Sequence, residues 1–84
     1  DSAVAYAARG GMEKERGMLE LAAYDYAEAM RLDSTNQDYI VSHVDLLITL
    51  GRKLEAYDDL RRLQALGVQP GQLQDFYARL RRKK

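Results

Sequence analysis

Cysteine and tryptophan are absent from this chain of 84 residues, and proline and histidine occur once each. Without cysteine there is no disulfide, no thiolate zinc site and no cysteine nucleophile. That suits a reducing, cytoplasmic setting, but exported chains also lack cysteine and the compartment stays open. No apolar run reaches the roughly 18 residues of a membrane span, and no signal peptide is visible. The chain starts at Asp1 without Met and reads as an excised or processed fragment. Net charge is lacking too. Thirteen Lys+Arg against thirteen Asp+Glu sum to zero, so bulk charge gives no pull towards nucleic acid or a membrane surface. The length allows one small domain with a modest core.

What is present is a repeat. Gly17, Ala22, Asp25 and Leu32 recur at one constant offset as Gly51, Ala56, Asp59 and Leu66. A fixed offset of about 34 residues with small residues in register predicts stacked helix pairs. A first helix is expected from Ser2 to about Arg16, with Ser2 as its cap and Val4, Ala7, Ala8 and Met12 at helical spacing. Gly10 and Gly11 inside it imply either the close approach of another backbone or a broken helix. Met18 to Leu32 forms the next helix, with Leu21, Ala22, Tyr26, Ala29 and Met30 as its buried stripe. Glu20, Asp25, Glu28 and Arg31 fall on its wetter side. Ser34 with Gln37, or Thr35 with Asp38, has capping-box spacing for a restart. The third helix runs to about Leu50 and the fourth from Lys53 to Leu66, with Leu54, Tyr57, Leu60, Leu63 and Leu66 apolar. Gly67 marks a Schellman-type stop that folds Val68 back towards Leu63. Pro70 then suits the first turn of a fifth helix. Leu73, Phe76, Tyr77 and Leu80 give that helix one apolar stripe. A half-polar helix of this kind covers the last hydrophobic face of an array.

These features resemble the tetratricopeptide repeat, a helix–turn–helix unit of about 34 residues. The motif residues in the first unit, residues 3–36, are Tyr6-Ala7-Ala8-Arg9-Gly10, Gly17, the trio Ala22, Tyr26 and Ala29, and Leu32-Asp33-Ser34. The second unit, residues 37–70, keeps Ile40, Leu47, Gly51, Ala56 and Leu60. It departs at Val44 and Leu63, where the family prefers small residues, and Glu13 replaces the usual aromatic of the first unit. The resemblance implies an all-α, right-handed helix–turn–helix array of two units plus a capping helix at 71–82, five helices in one domain. It also implies a non-catalytic module that docks another protein or peptide segment in a concave groove. The groove residues carried over are Val4, Ala7, Gly11 and Lys14 from the first unit and Asp38, Val41, Asp45 and Ile48 from the second. Ala7 and Gly11 would leave room for a ligand, and Asp38 and Asp45 would supply negative charge. Members that grip a C-terminal carboxylate use Lys and Asn at places held here by Ala7, Gly11, Ser42, Gln72 and Phe76, so no such clamp is implied. Self-association, as a homodimer or by stacking on the parent chain, is the alternative.

Other chemistry finds little footing. His43 has no second His and no Cys to join it, which favours packing or an inter-helix hydrogen bond over a ligand or base. Asp58-Asp59, with Asp25 and Glu55, lacks the spacing of a calcium loop and reads as a solvated helix face. The serines have no triad context, and Gly10-Gly11 does not continue as a phosphate loop. No cofactor, metal or small-molecule substrate is expected, and no acid, base and nucleophile assemble into an enzyme site. Tyr6, Tyr26 and Tyr57 are expected to pack between helices, with Tyr24 and Tyr39 partly exposed. The cations Arg79–Lys84, with Arg61-Arg62 upstream, could contact RNA or acidic lipid, but cations at a helix C-terminus are the simpler reading.

Overall fold

A computed structural model describes residues 2–82, and all the regular structure among them is helical. Helices α1 (Ala3–Glu15) and α2 (Leu19–Leu32) form one hairpin, and α3 (Gln37–Thr49) and α4 (Lys53–Ala65) a second. A 3₁₀ turn (Pro70–Leu73) leads into α5 (Gln74–Arg81). The all-α architecture of two helix pairs and a terminal helix is therefore present.

Local chemistry explains the boundaries. Ser2 Oγ accepts the Ala5 N–H at 3.1 Å and starts α1. The glycines Gly17, Gly51 and Gly67 follow α1, α3 and α4, each with φ between +79° and +103°. At each stop a backbone N–H reaches back to the helix it has left: Met18 to Glu13, Arg52 to Leu47 and Val68 to Leu63, at 2.8, 2.9 and 3.0 Å. That is the Schellman pattern, used here three times. The restart before α3 differs from expectation. Asn36, not Ser34 or Thr35, is the cap, and its Oδ1 accepts the Tyr39 N–H at 3.2 Å. Pro70 opens the 3₁₀ turn rather than α5 itself, held by reciprocal bonds between Gln69 and Gln72.

Each hairpin packs on itself, α3 packs on both α2 and α4, and α5 packs on α3. The molecule measures 33 × 30 × 17 Å. Its thin dimension fits two helix layers at about 8–10 Å spacing: α1, α3 and α5 in one, α2 and α4 in the other. The larger core joins Ile40, Val44 and Leu47 to Ala56, Leu60 and Leu63, closed by Leu73 and Leu80. A smaller one joins Ala22 and Ala23 of α2 to Leu46 of α3. Gly10 is buried because the Tyr26 ring lies over it. A β-carbon there would come within 2.9 Å of the ring and 3.4 Å of the Ala22 carbonyl oxygen. The glycine pair thus marks a close approach of α2, not a break in α1.

Several expected faces are corrected. Leu21, placed in the buried stripe of α2, is 52% exposed, and Leu54, one of the apolar residues of α4, is 82% exposed. Asp25 and Asp59, placed on wet faces, are among the most buried side chains. Their α-helical phase points them at the partner helix of their own hairpin, where Arg9 and His43 meet them.

Candidate functional site

The eight residues expected to line a groove lie on α1 and α3. Val4 and Val41 are exposed, Ala7, Gly11 and Ile48 half-buried, and Asp38 is exposed in the first turn of α3. Ile48 also packs against the main core. Space beside Gly11 is shared with the Tyr26 hydroxyl, 3.4 Å from where a β-carbon would start.

The charges on this face are already engaged with one another. Lys14 Nζ donates to Asp45 Oδ2 at 2.7 Å, and Arg79 Nη1 donates to Asp45 Oδ1 at 2.7 Å. Arg79 Nη2 also reaches Thr49 Oγ1 at 3.3 Å. One carboxylate on α3 therefore ties α1 and α5 to it. Burial works against the Asp45 charge, but the hydrogen bonds from Lys14 and Arg79 outweigh it and hold the carboxyl below the usual range. Asp45 is thus a brace of the layer, not an open negative charge. Arg79 reads in the sequence as part of the basic tail, yet it belongs to this face. The signal was available: Gly11, Asp45 and Arg79 share one position of the repeat. Arg61 likewise pairs with Asp58, and Arg62 Nε lies 3.5 Å from Asp59. Those cations have partners within the fold, while Lys83 and Lys84 lie outside the described residues.

A second set of polar residues sits inside the hairpins. Arg9 donates through Nε and Nη2 to both oxygens of Asp25, each at 2.8 Å. Its guanidinium also lies over the Tyr6 ring, 5.7 Å from the centroid. The same two positions of the second unit hold His43 and Asp59, with Nδ1 2.5 Å from Oδ2. A carboxylate facing Nδ1 fixes the proton on that nitrogen. Hydrogen bonding from Arg9 holds the Asp25 carboxyl below its ordinary range, against the effect of burial. Glu13, where an aromatic was expected, turns in towards this pair. Its bond to Asp25 and its burial push the Glu13 carboxyl above the usual range. No donor reaches its buried Oε1.

A cleft of about 440 Å³ runs between α2 and α4 on the opposite layer, lined by Met30, Arg31, Ser34, His43, Asp58 and Arg62 among others. Its histidine belongs to the intra-hairpin pair. Among the described residues no group of three His, Asp or Glu is placed to hold a metal ion, and no helix is long and apolar enough to cross a membrane.

No protein-family model, no curated protein and no solved structure matches the chain.

Proposed function

We propose that the chain is a non-catalytic protein-binding module of tetratricopeptide type, which docks an extended or helical segment of another protein across the α1–α3–α5 face. One observation carries the reading: three helices related by the internal repeat present one face. Exposed Val4 and Val41 and small Ala7 and Gly11 lie along it, and the Lys14–Asp45–Arg79 chain fixes the helices in register. A rigid face with exposed apolar anchors and small neighbours suits recognition of a segment by shape, with Asp38 orienting a cation of the partner. Two units and a terminal helix offer limited area, so affinity is weak to moderate. The module forms part of a scaffold or adaptor in this reading.

Peptides selected by display against the wild-type chain provide the test. Val41→Glu combined with Asp38→Lys, both exposed positions, weakens binding by at least about tenfold, near 1.4 kcal/mol, while circular dichroism stays unchanged. Equal affinity for both proteins removes the site from this face. Asp45 is unsuitable as the probe, because changing it breaks two inter-helix ion pairs as well as any contact with a partner.

A further inference from the structure

Apolar exposure is concentrated on one end of the molecule. Eight large apolar side chains are exposed among the described residues, and six of them, Val4, Met12, Met18, Leu21, Tyr24 and Leu32, lie on the first hairpin. Leu19, Ala23 and Tyr26 form the side of α2 that meets Leu46 and Leu50 of α3. Leu21 and Leu32 lie on the other side of α2, and exposed Glu20 and half-buried Glu28 border them. On α1, exposed Ala5, Ala8 and Met12 fall at three- and four-residue steps, one stripe turned from the Gly10 contact with α2.

The internal repeat shows what is unusual here. Met12, Leu46 and Leu80 occupy one position on α1, α3 and α5. Leu46 is 1% and Leu80 3% exposed, each covered by the preceding hairpin, whereas Met12 is 53% exposed. Another helix pair stacked in the same manner would not fit well. Arg9 and Arg16 stand where α3 places His43 and Leu50, so continuing the stack would bury two arginines. The apolar weight lies instead on the outer side of α2. There Met18 and Leu21 replace the Arg52 and Glu55 of the second hairpin.

We propose that the outer face of the α1–α2 hairpin is a self-association surface, on which two copies of the chain meet hairpin to hairpin about a two-fold axis. The opposite end of the molecule excludes a head-to-tail chain of copies. There α5 covers Leu60 and Leu63 through Leu73 and Leu80 and turns Gln74, Asp75 and Arg81 outward. Open-ended stacking needs complementary apolar surface at both ends, and among the described residues the exposed large apolar side chains are concentrated on the first hairpin, so the contact closes on itself. Arg9 and Arg16 flank the patch together with Glu15 and Glu28, and such mixed charge sets no net repulsion against pairing. A face two helices wide, each about 21 Å long and about 10 Å across, gives a footprint of roughly 400 Å². That is below the roughly 800 Å² per partner of a standard complex, so the dimer is weak and concentration-dependent.

Sedimentation velocity tests this. Between about 10 μM and about 1 mM, the range a small interface implies, the wild type shifts from monomer towards dimer. Met12→Lys with Leu21→Lys, at exposed sites, weakens the dimer at least tenfold with the helical circular dichroism intact. Leu21→Lys with Leu32→Lys does the same from α2 alone. Val41→Lys, on the groove face, leaves the dimer unchanged, which separates this surface from the peptide-docking one. A monomer at every concentration, growth beyond the dimer, or a dimer that both double variants retain overturns the proposal.

Discussion

Arg9 and His43 occupy one position of the repeated unit and Asp25 and Asp59 another, and each pair meets the same need. A carboxylate between two packed helices loses its water and requires a partner held by the fold. The first hairpin supplies a guanidinium with two parallel bonds, the second an imidazole with one. Replacing His43 with Leu leaves Asp59 with only Arg62 at 3.5 Å. The expected loss is about 3 kcal/mol of stability, the lower end for breaking a buried pair. His43→Arg, which copies the first hairpin, retains most of that stability. Thermal unfolding at neutral pH checks both, and equal losses from the two variants would contradict the equivalence. Sequence alone put both aspartates on wet faces, because their charge outweighed their helical phase. The register held the answer. Each aspartate follows a basic or titratable side chain at the same interval in both hairpins, and the two pairs coincide when the units are superposed on the repeat.

At the scale of elements, the stops were easier to read than the starts. A glycine after a helix has one low-cost use, the left-handed turn that returns a backbone N–H to the last carbonyls. The structure uses it at Gly17, Gly51 and Gly67. Gly51→Ala is therefore expected to lose about 1–2 kcal/mol although nothing lies within 4 Å of the added carbon. Gly71→Ala, also in open space but without a positive φ, is the control and changes little. Chemical denaturation distinguishes them, and a neutral Gly51→Ala would refute the strain argument. Starts were ambiguous because Ser34, Thr35 and Asn36 are all competent acceptors; backbone geometry chose Asn36, whose extended φ and ψ aim its side chain at the Tyr39 N–H. Leu21 was misplaced for a related reason. A wide apolar stripe on a helix does not say where its edge meets solvent, and only the neighbouring helix settles that.

The whole molecule is two helix layers in which one layer bears the proposed groove and one end bears the proposed self-association face. The all-α fold and its five helices were legible, since period and glycine stops agreed with one another. The state of the groove charges was not. Lys14, Asp45 and Arg79 come from three helices, and only their packing brings both cations onto one carboxylate. That arrangement ties α1 and α5 to α3, and in the proposed reading the apolar positions of the face carry recognition. The most direct check is an amide chemical-shift titration of the labelled chain with a display-selected peptide. The account predicts the largest shifts at Ala7, Gly11, Val41 and Ile48, along α1 and α3. Shifts concentrated on α2 and α4 would contradict it.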